Sequence, residues 1–227
     1  MGSVEDIAYA AAYFGLSAVL LVALGLTIVV AAARRPFGGQ GLIAIGLVVT
    51  LLSGVGFDLV KSTLGDLVYQ RAHFTLFYAA FGLVAWGIDR ASAVAHRPAW
   101  RPIAWAAFAG TTLLALGVLW LAPSLYHATG GDPTRYIQLP LFYVPLVVVL
   151  LSGGWAFTGA AAAGRAGAWW AEAFVIASLV GVLREGGVLP ATGEPLLDVL
   201  TIFGPLTLGG VALCLSQRAV PRTSASS

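Results

Sequence analysis

Residue types able to do chemistry are few in this chain, and they are unevenly placed. Among 227 residues there are three histidines, one cysteine and ten carboxylates. His73 is the only histidine that hydropathy puts inside an apolar span, in the first turn of a helix expected to begin at about Ala72. An ionisable group within a bilayer is costly and rare, so it marks a functional site by default. A structural alternative stands beside that one: a membrane-edge histidine hydrogen-bonded to a backbone carbonyl or to Asp66. His96 falls in a basic loop and reads as solvated, whereas His127 follows a helix end and reads as a hydrogen-bonding group. The single Cys214 excludes an internal disulfide and any cysteine-built zinc or iron–sulfur centre. Neither a phosphate loop with lysine nor a His-x-x-x-His or Cys-x-x-Cys pair is present. Ser53 and Ser152 sit in similar Leu-Leu-Ser-Gly strings, and close packing of helices by small residues explains these better than a serine nucleophile lacking a partner histidine.

The elements that must position these residues are set by composition. The chain is 59% hydrophobic and 10% charged, with mean hydropathy +0.90, which implies an all-α integral membrane protein. Spanning segments in lipid must satisfy their own backbone hydrogen bonds, as helices do. Residues 1–6 are acidic (Glu5, Asp6) and lack a basic n-region and cleavage site, so the first apolar run is expected to be retained. Apolar runs cover 7–33, 41–60, 72–88, 102–126, 139–163, 168–188 and 195–215, each near the length needed to cross the hydrocarbon core. They predict a seven-transmembrane-helix bundle forming one domain over 1–216, with a disordered tail at 217–227. The lipid bilayer is then the first partner, and nothing reads as a nucleic-acid patch.

Basic residues orient the bundle. With the N-terminus outside and the C-terminus inside, Arg34, Arg35, Arg90, Arg97, Arg101, Arg165, Arg218 and Arg222 lie inside. Only Lys61, Arg71, Arg135 and Arg184 lie outside, as the positive-inside rule requires. In this orientation Asp58, Lys61, Asp66, Arg71, His73, His127, Asp132, Arg135, Arg184, Glu185, Glu194 and Asp198 all gather at outer helix ends or in outer loops. Solvated anchoring accounts for part of the set. Asp58 and Lys61, three apart on one helical turn, can neutralise each other. Arg184 and Glu185 are adjacent, share no face and need other partners. Residues 16–33 and 205–213 carry no charge, so the polar residues form a rim and not a through-channel.

From Asp66 onward the chain resembles the C-terminal half of subunit I of the haem–copper oxidases. That family has an outer aspartate leading into a helix that reads roughly Asp-Thr-Tyr-Tyr-Val-Val-Ala-His-Phe-His. Here Asp66, Tyr69, Ala72, His73 and Phe74 keep the register, and Thr75 stands at the last position. After the next span the family has an outer histidine, a glycine turn and Pro-Arg-Arg-Tyr. This chain has His127, Gly130, Gly131, Pro133, Arg135 and Tyr136. The likeness covers about residues 41–160, and the distance from His127 to Pro133 is shorter than in the family.

The resemblance implies one b-type haem near the outer face, a plasma-membrane location and a redox or electron-transfer role. His73 would be the axial ligand to the haem iron. Arg135, with Tyr136 beside it, would pair with a propionate, for which a guanidinium fork suits a carboxylate. Arg71 would assist from the same rim, Phe77 would lie along the macrocycle, and His127 would serve the propionate side. Thr75 replaces the ligand of the family's low-spin haem. The copper-ligating histidines belong to a part of subunit I absent here, so no copper is expected and the chain is not itself an oxygen reductase.

The last two spans also resemble those of microbial rhodopsins, through Trp169, Trp170, Arg184, Glu185, Pro190, Glu194 and Asp198. Ile202 stands where those proteins carry the Schiff-base lysine, so no retinal Schiff base can form in that way. Two other functions remain open. One is a cofactor-free accessory subunit of a membrane complex, working with other membrane subunits or an outer-face redox partner. The other is a seven-helix receptor or transporter with an outer polar pocket. The predicted topology is checked with a C-terminal reporter, which is expected to be active only in the inner compartment.

Overall fold

The computed structural model describes residues 4–33, 38–53, 63, 65–91, 99–122 and 195–216. Among these residues the regular structure is entirely helical. The helices are α1 (Val4–Ala32), α2 (Gly39–Leu51), α3 (Asp66–Ala91), α4 (Arg101–Leu121) and α5 (Pro195–Ser216). Residues 52 and 53 continue α2 in a wider, π-type turn. The expected spans at 139–163 and 168–188 lie outside the described residues, as do the distal parts of those at 41–60 and 102–126.

Two helices, α1 and α4, are long and apolar enough to cross a membrane. Only 33% and 22% of their apolar windows are buried, unlike the core helix of a water-soluble domain, which is enclosed on all sides. Val22, Val29, Ile103, Leu113 and Leu208 each keep more than half of their surface exposed.

The third helix departs from its sequence expectation. It begins at Asp66 and not near Ala72, so His73 sits two turns inside it. Hydropathy stops at Gln70 and Arg71, but both are good helix formers, and Arg71 is satisfied by a neighbouring helix. Gly65, at φ 72, makes the turn into the helix, and its carbonyl accepts the first bond from the Tyr69 N–H at 3.0 Å. A left-handed φ suits glycine there.

α2 and α3 form the closest pair. A Cβ on Gly46 would lie 2.6 Å from the Ala80 carbonyl oxygen, and one on Gly87 would lie 2.7 Å from the Gly39 carbonyl oxygen. The two backbones therefore touch at both places, and the pairings require α2 and α3 to run antiparallel. Ile43, Leu47, Val84 and Ile88 fill the core around these contacts.

α3 and α4 are also antiparallel, but they are tied mainly at their ends. At one end Arg101 makes a two-pronged ion pair with Asp89 through Nε and Nη2. At the other, Arg71 reaches the last carbonyls of α4. About 18 helical residues separate the ties, or roughly 27 Å at 1.5 Å per residue, close to the thickness of a bilayer's hydrocarbon core.

α1 and α5 run parallel. Tyr13 meets Phe203 edge-on at 5.0 Å, Thr207 Oγ1 donates to the Leu16 carbonyl at 3.2 Å, and Gly210 receives the Leu20 side chain. Residue numbers rise together along both helices, which fixes their common direction. α1 also packs on α2, from which it is separated by six residues. So short a connection joins antiparallel neighbours.

The glycine contacts generate a stability prediction. Gly46→Ala places a Cβ against backbone and should cost about 1–3 kcal/mol, the range for overpacking. Gly110→Ala, with nothing within 4 Å of the new atom, should stay within about 0.5 kcal/mol of wild type. Reversible unfolding in mixed micelles measures both.

Candidate functional site

His73 is half-buried on the face of α3 that meets the end of α2. Its Nδ1 lies 3.1 Å from the Ser53 carbonyl oxygen. A carbonyl only accepts, so Nδ1 carries the hydrogen, and in the neutral ring Nε2 carries the lone pair. Ser53 lies two residues beyond the end of α2, in the π-type turn that continues it. Its hydroxyl donates to the Thr50 carbonyl at 2.9 Å, and Thr50 in turn donates to the Gly46 carbonyl at 2.9 Å. The imidazole bond is thus anchored on the helix that the glycine contact holds close.

Aromatic rings fix the imidazole plane. Tyr69, one turn before, stacks on it at 5.6 Å with an interplanar angle of 9°, and Phe77, one turn after, lies at 5.9 Å and 28°. Phe74 meets it edge-on at 5.2 Å. The spacing of four residues makes these rings neighbours on one helical face. Phe77 itself packs on Phe81 at 4.5 Å, so it stands against the imidazole within an aromatic column.

Arg71 goes elsewhere. Two residues along an α-helix is a rotation of about 200°, which turns Arg71 away from His73. Its Nε donates to the Leu119 carbonyl at 3.2 Å and its Nη2 to the Trp120 carbonyl at 3.3 Å. The guanidinium also lies 5.2 Å from the Trp120 ring centroid. At the same end of α3 as His73 but on another side of it, Arg71 closes the C-terminal end of α4, where a cation also meets the negative end of the helix dipole. Thr75 belongs to the same group. Its hydroxyl donates to the Arg71 carbonyl at 2.6 Å and accepts from Trp120 Nε1 at 3.1 Å.

The structure brings His73 and Phe77 together and separates Arg71 from them. Asp66 and Asp198 begin or lie near the start of α3 and α5, but their side chains lie outside the described residues. The same holds for all of Asp58, Lys61, His127, Arg135, Tyr136, Arg184 and Glu185. Among the described residues, no three His, Cys, Asp or Glu side chains converge as a metal cluster. Sequence reasoning missed Ser53 as a carbonyl partner, Tyr69 as a stacking partner, and the Thr75–Trp120 pair. The four-residue spacing of Tyr69, His73 and Phe77 was available as a signal, whereas the Ser53 contact depends on interhelical register.

No protein-family model, curated protein or solved structure matches the chain. The likeness to oxidase subunit I accordingly rests on the residues quoted for it.

The site yields its own test. His73→Phe keeps a ring in the aromatic column but leaves the Ser53 carbonyl without that donor. It should cost about 1–3 kcal/mol of stability, the penalty for a buried acceptor left unmade. Unfolding of the two proteins in the same micelles gives the difference.

Proposed function

We propose that this chain is a multi-pass protein of the cell membrane, with seven spans, that holds one b-type haem near the outer face through His73. The observation that carries the haem reading is the Nδ1 bond to the Ser53 carbonyl. Metal-ligating histidines are generally held in this way, with one ring N–H on a carbonyl so that the other nitrogen is presented to the metal. Tyr69 and Phe77 cover the faces of the imidazole and would hold its plane steady for a ligand on the ring nitrogen. Arg135 and Tyr136 would take the propionate side, and Arg71 has no part in it. When bound, the haem would supply one-electron chemistry, tuned by its axial ligand and by pocket polarity.

The directions of the described helices support the seven-span topology. α2 and α4 end at the His73 end of the bundle, and α1, α3 and α5 begin there. Chain leaving α4 at that end and entering α5 at the same end must cross an even number of times. Two further crossings by the apolar runs at 139–163 and 168–188 would satisfy this and give seven in all. The basic-residue bias then sets the His73 end outside and the Asp89–Arg101 end inside.

A second reading is favoured by the same hydrogen bond. A carbonyl partner and two stacked rings are also sufficient for a purely structural histidine, and the chain would then be a cofactor-free accessory subunit. Colour separates the two. Full-length protein made with ample haem should show a Soret band that His73→Ala abolishes while the protein stays in the membrane. Colourless wild-type protein would favour the accessory reading.

A further inference from the structure

Arg71 and His73 leave α3 on nearly opposite sides, and each ends on a carbonyl at the end of a different helix. His73 takes the Ser53 carbonyl of the α2 terminus at 3.1 Å, and Arg71 takes the Leu119 and Trp120 carbonyls of α4 at 3.2 and 3.3 Å. Thr75 and Trp120 close a second tie between α3 and α4 one turn further along. We propose that Arg71 is a positioning residue for His73: by clamping α3 to α4, it adds to the α2–α3 contact the hold on the rotation of α3 that keeps the imidazole on the Ser53 carbonyl.

Geometry makes the coupling strong. A side-chain tip lies about 5–6 Å from the helix axis, so a rotation of roughly 20° carries it about 2 Å. From 3.1 Å, that displacement removes the hydrogen bond altogether. Side-chain packing does little to resist such rotation on the α4 side, since α3 touches α4 far less than it touches α2. The polar ties are what hold that side. Arginine suits the task because its fork can reach two successive carbonyls, whereas lysine offers a point charge.

The functional weight of this inference rests on His73 being the haem ligand, but its test does not. Full-length chain is labelled with 15N-histidine in lipid nanodiscs, and the His73 signal is identified by its loss in His73→Asn. Solvent exchange of the Nδ1–H is then compared among variants. Arg71→Gln should speed exchange by about tenfold, the equivalent of one lost hydrogen bond, and Arg71→Lys should fall between. Trp120→Phe keeps a ring for the guanidinium and removes only the Nε1–H tie; it should speed exchange severalfold. Arg71→Lys decides the matter if Arg71→Gln fails to fold, because it alone of the remaining variants alters the guanidinium bonds.

Exchange within twofold of wild type in these variants, with the His73 signal retained, would overturn the proposal. Haem titration is the second arm. Arg71→Gln should weaken haem binding together with the faster exchange; weakened binding with unchanged exchange would instead make Arg71 a direct haem partner and sink the positioning role. Wild-type protein that binds no haem overturns the haem reading alone, because the exchange measurement still decides the coupling.

Discussion

Contact between the backbones of α2 and α3 is the constraint on which the rest depends. Gly46 lies against the Ala80 carbonyl and Gly87 against that of Gly39, with no room for a single methyl at either place. In lipid, helices gain no hydrophobic advantage from associating, so close van der Waals approach is a main source of attraction. The approach also sets register. Once Gly46 faces Ala80 and Val84, the end of α2 arrives opposite His73, and the Ser53 carbonyl falls within reach of the imidazole. The candidate site is therefore a consequence of packing two turns away from it.

Among the described residues, polar side chains mostly bond backbone carbonyls, either within their own helix or at the end of a neighbour. The last carbonyls of a helix have no intrahelical partner and cannot be left bare away from water. Arg71 serves one such end, at α4, while His73 bonds the Ser53 carbonyl and the Asp89–Arg101 pair neutralises two charges where α3 ends and α4 begins. Each of these groups has an explanation in backbone accounting before any chemistry is invoked. That dual use is why the charges cluster at the ends of the spans, and it limits how much a list of ionisable residues can say about activity.

Much of this was legible in the sequence, and what was not has an identifiable cause. Composition and the lengths of the apolar runs gave helices α1, α4 and α5 to within a few residues, because each boundary is marked by charge or proline. The start of α3 was placed too late. Hydropathy measures where a helix would enter lipid, not where it begins, and the first turns of α3 carry Gln70 and Arg71. His73, singled out for lying within an apolar span, bonds a backbone carbonyl. Its partner was not legible, since Ser53 acts through its carbonyl and a backbone atom leaves no trace in residue type. Arg71 was read on the same rim as His73 from their closeness in sequence, and the helix turns the two to opposite sides at that end of α3.

The parallel pairing of α1 and α5 has a consequence for the order in which the protein is made. Leu20 occupies the space left by the missing side chain of Gly210, some 190 residues later in the chain. During synthesis α1 can settle against α2 early, whereas the contacts that Leu16, Leu20 and Leu24 make with Thr207 and Gly210 wait until α5 emerges. Non-local contacts of this kind form last and leave surface open in the interval. A nascent chain interrupted before Gly210 would lack the surface that Leu20 packs against, so that part of the α1 face would stay open.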